Sequence, residues 1–206
     1  MTKTLVFNSY FQSKNLIKTH STFIFICSVF LLSLVFGAFS ISVCENESMY
    51  GLKSYITEYL SFLNNSVYLE LFINCFIMFS LLILINYILG LCIVGNFISV
   101  LILFIYSFSI GSVSGYLYRI YSLNGICFFS LAVFPGLFLF CINYLLSIKR
   151  SFDFSKELLK LTKEKSEVSV NFKAYSIKFL IHIILCIFIC LIGAFFLVTF
   201  SSLLKI

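Results

Sequence analysis

The chain has 206 residues, of which 61% are hydrophobic and 11% charged, with 27 Phe and a formal net charge of +6. Its mean hydropathy is +1.10, more apolar surface than one soluble core of this size could hide and too few charges to coat it, so a soluble globular fold is excluded. A lipid-embedded helical bundle remains, because hydrocarbon offers no water to unpaired backbone groups and the regular strand alternation of a membrane barrel is absent.

Runs without Asp, Glu, Lys or Arg cover 21–44, 71–118, 120–148 and 179–204. About 20 apolar residues cross the hydrocarbon core, so the second run fits two spans and each of the others fits one. The predicted fold is all-α, a single integral membrane domain over 1–206 with five transmembrane helices near 23–43, 68–88, 97–118, 124–147 and 179–201.

The N-terminal tail carries Lys3, Lys14 and Lys18. The apolar stretch behind it is longer than that of a cleaved secretory signal, so it reads as a retained anchor. The "ISVC" at 41–44 fails as a lipoprotein cleavage site because Val43 stands where a small residue is needed. Ser33 and Gly37 form a small patch on this first helix. In the outer loop, 44–67, which includes Glu45, Glu47 and Glu58, "LKSYITEYLSFL" sets Ile56, Leu60 and Leu63 on one helical face. An interfacial helix closing the bundle is the plainer reading of that face, and an extracytoplasmic docking site is the functional one.

Glu70 opens the second helix as a boundary residue. Asn74, Asn86, Asn96 and Asn143 can bond between helices but form no motif, and the facing acids or bases of a proton relay are missing. On the third helix, Ser107, Gly111 and Gly115 recur every fourth residue. Lipid gives helices little hydrophobic reason to associate, so a stripe of small residues that lets two backbones approach closely is read as a helix-packing face. A contact inside the chain is preferred, with homo-oligomerisation as the other use. Pro135 and Gly136 fall midway along the fourth helix and predict a kink there, because Pro removes a backbone hydrogen bond.

The segment 149–178 contains "SFDFSKELLKLTKEK", with Phe154, Leu158 and Leu161 on one stripe and Lys156, Lys160 and Lys163 elsewhere, a pattern suited to anionic headgroups. Asp153, Glu157 and Glu164 interleave with the lysines, which argues against nucleic acid as a partner. His182, Cys186 and Cys190 share a face of the fifth helix, but each step climbs about 6 Å along the axis, too far for the three to converge on one ion. No metal or cofactor is expected. Cys27, Cys75, Cys127 and Cys141 read as small apolar residues, and with Cys44 alone near the oxidising side no disulfide framework is indicated.

Basic residues set the orientation. Five helices place the tail and 149–178 on one side, leaving only Lys53, Arg119 and Lys205 for the other, so the positive-inside rule predicts a cytoplasmic N-terminus and an extracytoplasmic C-terminus. The loops are too short to fold alone as catalytic domains, and within the helices no nucleophile pairs with a base, so the chain is read as non-enzymatic.

The run "LGLCIVGNFISVLILFIYSFSIGSVSGYLYRIYSLNGICFFSLAVFPGLFLF" at 89–140 resembles the core of the stage II sporulation protein M family of endospore-forming bacteria. The matching positions are Gly90, Gly95, Gly111, Gly125 and Pro135, followed by the amphipathic stretch around "RSFDFSKEL". Asn96 and Phe97 stand where that family often has Pro, and Ser107 replaces a Gly; both changes keep a turn and a small residue. The resemblance implies a multi-pass scaffold in the bacterial cell membrane that recruits peptidoglycan-degrading enzymes to the septal membrane during engulfment. The outer loop would supply the contacts, with Tyr55, Tyr59 and Phe62 among them. The competing class is a small-molecule transporter or a membrane component of an export system, for which Pro135, Gly136 and the serines at 107, 109, 112 and 114 would form a path.

Overall fold

A computed structural model describes residues 2–44, 50–92, 94–164 and 171–200; Glu45, Glu47, Lys165 and Lys205 lie outside the described residues. The order of elements is α1 (Thr2–Val43), α2 (Tyr50–Asn65), α3 (Tyr68–Gly90), α4 (Gly95–Phe128), a π-helical turn (Phe129–Val133), α5 (Phe134–Glu164) and α6 (Phe172–Phe200), with no strand among the described residues. Four helical stretches are long and apolar enough to cross a membrane: Ser21–Val43, Tyr68–Gly90, Gly95–Leu159 and Phe172–Phe200. By these helices the chain is a multi-pass membrane protein. Leu32, Phe36 and Phe97 are exposed, as residues facing lipid are.

The third stretch has 65 residues, which as one rod would reach roughly 100 Å at about 1.5 Å per residue. It is not one rod. Ser122 has φ 50 and ψ −126, and Gly125 lies against the Leu117 carbonyl, two turns back along what would be a straight helix. The chain therefore folds back at Ser122, and Phe128 and Ala132 join Tyr116 and Leu117 in one core cluster.

Several helix ends differ from those set by charge. α1 begins at Thr2, so the tail is helical and continuous with the first apolar stretch; no Pro or Gly interrupts it before Gly37. α6 begins at Phe172 because Asn171 caps it, its Oδ1 accepting the Ala174 N–H at 3.0 Å. Lys173 and Lys178 therefore sit inside a helix that the charge rule starts at 179, their long stems letting the ammonium groups reach water. α5 continues to Glu164, and its Phe154 is buried against Tyr175, with ring centroids 4.0 Å apart. That end of the predicted headgroup-facing stripe is thus used for packing within the bundle.

α1 lies along α4, while α3, α5 and α6 pack on one another. Two apolar clusters fill the bundle. One contains Ile26, Ile83, Phe140, Tyr144 and Phe179. The other contains Ile41, Leu71, Leu117, Phe128 and Leu197, and α2 covers it with Ile56, Leu60 and Leu63. Glu70 lies in the first turn of α3 and reaches back to accept the Val67 N–H at 3.4 Å, a carboxylate suited to a helix N-terminus.

The C-terminal end of α1 is closed by Arg119 of α4, whose Nη1 donates to the carbonyls of Ile41 and Cys44, each at 2.7 Å. A cation on carbonyls with no helical partner also complements the helix dipole. Arg119→Leu is expected to cost about 1–2 kcal/mol, read as a lower unfolding midpoint in detergent, with Arg119→Lys recovering part of it.

Candidate functional site

Three arrangements of side chains carry the chemistry of the bundle. The first is the seam between α1 and α4. Gly37 faces the Phe108 carbonyl, Gly111 faces the Leu34 carbonyl, and a Cβ at Gly115 would lie 2.9 Å from the Ala38 oxygen. The Ser33 and Ser107 hydroxyls meet at 2.6 Å in the same seam, both fully buried, and Ser112 donates to the Gly37 carbonyl at 3.4 Å. Ser107, Gly111 and Gly115 thus pack on the Ser33 and Gly37 patch of the same chain. Ser33, Gly37, Ser107 and Gly111 are buried in this contact within the chain, and Gly115 is half-buried.

The second is a polar cluster deep between α5 and α6. The Asn143 Nδ2 donates to the His182 carbonyl at 3.0 Å and approaches Cys186 Sγ at 3.5 Å. Its Oδ1 therefore faces the imidazole, 2.6 Å from His182 Nδ1, so Nδ1 carries the proton and donates it. Both residues are buried. Towards the α3–α4 turn, Asn86 donates to Ser147 at 3.3 Å, Tyr175 donates to the Tyr87 carbonyl at 2.9 Å, and the Tyr87 and Ser176 hydroxyls meet at 3.0 Å. These bonds cross between α3, α5 and α6 and hold the helices in register. Among the described residues, no group of three His, Cys, Asp or Glu stands close enough to hold an ion. His182 and Cys186 meet through Asn143, a partner that spacing along one helix could not reveal.

The third is a cavity of about 540 Å³ under α2, walled by α3, α4, the π turn, α5 and α6. Tyr55, Tyr59 and Phe62 all line it, so these three residues of α2 face the cavity as well as the surface. Tyr55 is 61% exposed and Tyr59 38%, whereas Phe62 is half-buried against the core. Burial pushes the Tyr59 hydroxyl above the usual phenol range, with the nearby Cys75 and Tyr55 adding to the effect.

Gly136 borders the same cavity, with Pro135 next to it in the chain. Pro135 lacks an N–H and crowds the carbonyl four residues back, and the helix answers by widening just before it: the Phe134 N–H bonds to the Phe129 carbonyl in π register. Turns of this kind recur at functional sites. Ala132, Val133 and Gly136 from this break line the cavity, and a Cβ at Gly136 would come within 2.6 Å of Gly193 Cα on α6. The break therefore sits at a close approach of α5 and α6 beside an open volume.

No known protein family, curated protein or solved structure matches this chain.

Proposed function

We propose that this protein is a non-enzymatic scaffold of a bacterial cell membrane, crossing it five times with a cytoplasmic N-terminus, an extracytoplasmic C-terminus and α2 on the cell-wall side. In this reading α2 recruits peptidoglycan-degrading enzymes to the septal membrane during forespore engulfment, the role implied by the resemblance to the stage II sporulation protein M family. The observation that carries it is the way α2 is held. Ile56, Leu60 and Leu63 anchor it on the bundle while Tyr50, Tyr55 and Tyr59 stay exposed, and a rigid helix presenting aromatic side chains is the usual anatomy of a protein-docking surface. The fold-back at Ser122 supports the count of five, since it divides the longest apolar stretch into two arms each able to cross.

The test is a crosslinking pull-down of tagged protein from native membranes at the stage of expression. Native protein is expected to recover wall hydrolases, and Tyr55→Ala combined with Tyr59→Ala to reduce that recovery several-fold at unchanged protein level. Unchanged recovery and localisation in the double variant would remove α2 as the docking surface.

A second reading, transport or export, is favoured by the cavity and the π turn beside it. Substrate-dependent flux into reconstituted vesicles would support it, while hydrolase recovery without flux supports the scaffold.

A further inference from the structure

Helices pack closely where they meet, so a largely apolar recess of about 540 Å³ left between them and open on one side calls for an occupant. That volume falls within the range of roughly 300–1,000 Å³ typical of small-molecule sites. Its walls are built from Leu71, Phe79, Ile110, Val113, Phe128 and Leu137, among others, and none of its lining residues is Asp, Glu, Lys, Arg or His. Asn74, Ser109 and three tyrosines are the polar side chains of the lining, so most of the wall offers water no hydrogen-bond partner. The lining also reaches Ile77 and Met78 of α3 and Ser109 of α4, all exposed, so the volume opens sideways between these two helices, at the level where a membrane protein meets hydrocarbon.

We propose that the cavity under α2 holds one hydrocarbon tail of a bilayer phospholipid, entering between α3 and α4 and lying against the π turn. A tail is the species present at that opening at the highest concentration, and it needs no hydrogen bond from the walls. The inference does not depend on the recruitment of any enzyme. It does give α2 a second role, because Tyr55, Ile56, Tyr59 and Leu60 close the end of the slot, so that the occupant supports the surface the helix displays.

The full chain would be reconstituted in vesicles of phosphatidylethanolamine and phosphatidylglycerol containing a trace of phospholipid with a diazirine near the end of one acyl chain. After photolysis, labelled peptides would be mapped by mass spectrometry. Labelling at Cys75, Val113, Ala132 and Cys190 is expected to exceed that at Leu32 and Phe36, which lie on the exposed face of α1, by several-fold. Val113→Phe, which fills the slot, is expected to reduce cavity labelling several-fold and leave Leu32 and Phe36 unchanged. Cavity labelling of the native chain no higher than at Leu32 and Phe36 would overturn the proposal, as would a folded Val113→Phe labelled like the native chain. Should Val113→Phe fail to fold, Ala132→Leu fills the slot from the π turn and is read the same way.

Discussion

Gly111→Leu is expected to destabilise the protein by about 3 kcal/mol or more, the upper range for overpacking a tight contact. A Cβ at Gly111 runs into the Leu34 carbonyl and lies 3.0 Å from the Ala38 nitrogen, and backbone atoms cannot rotate aside as a side-chain end would. The whole α1–α4 seam must open, which also parts the buried hydroxyls of Ser33 and Ser107. In lipid the lost packing is not replaced by a hydrophobic drive, because hydrocarbon solvates the separated faces as well as the protein does. Gly115→Ala should cost only about 1 kcal/mol, since its tightest contacts, the Ala38 oxygen at 2.9 Å and Cα at 3.2 Å, ask the two helices for a small shift. Gly51, with nothing near its Cβ position, supplies the control: Gly51→Ala is expected to stabilise α2 slightly, by roughly 0.5–1 kcal/mol. Unfolding measured in detergent or bilayer would rank the three, and a Gly111→Leu protein as stable as native would contradict the seam.

The second large effect is expected at Asn143. Asn143→Ala removes three contacts at once and leaves the His182 imidazole N–H and backbone carbonyl with a lost partner inside the membrane, for a cost of about 2 kcal/mol. Interhelical bonds in lipid are individually modest, roughly 0.6 kcal/mol on average and up to about 1.7. The informative quantity is therefore the coupling. A double-mutant cycle between Asn143→Ala and His182→Ala is expected to give an interaction energy of about 1–2 kcal/mol, because the two side chains bond to each other. Strict additivity would show that Asn143 acts through packing alone.

What could be read from the chain follows from how each feature is encoded. The small-residue seam is local on both helices: Ser107, Gly111 and Gly115 repeat within one, and Ser33 and Gly37 within the other. The α2 stripe of Ile56, Leu60 and Leu63 is equally local. The Asn143–His182 pair was hidden because its members sit on different helices, and His182 suggested Cys186 and Cys190 only because they share its face. The cavity has no signature at all, since it is bounded largely by ordinary apolar residues of six elements, and what marks it in the sequence is only the helix break beside it at Pro135. Helix ends set by charge misplaced the start of α6, where Asn171 caps the helix and Lys173 and Lys178 tolerate the interface. The tail before residue 23 reads as separate because its lysines end the apolar run, although no Pro or Gly in it stops a helix.

In the proposed arrangement α2 and the α3–α4 turn lie on opposite sides of the membrane, with α2 towards the wall. Single cysteines labelled in intact cells with a membrane-impermeant maleimide distinguish the two sides. In a chain otherwise free of cysteine, Lys53→Cys on α2 is predicted to react from outside, whereas the native Cys92, exposed in the α3–α4 turn, should react only after the membrane is permeabilised. Labelling of both from the same side, or of Cys92 alone from outside, would contradict the arrangement and with it the recruitment of wall enzymes.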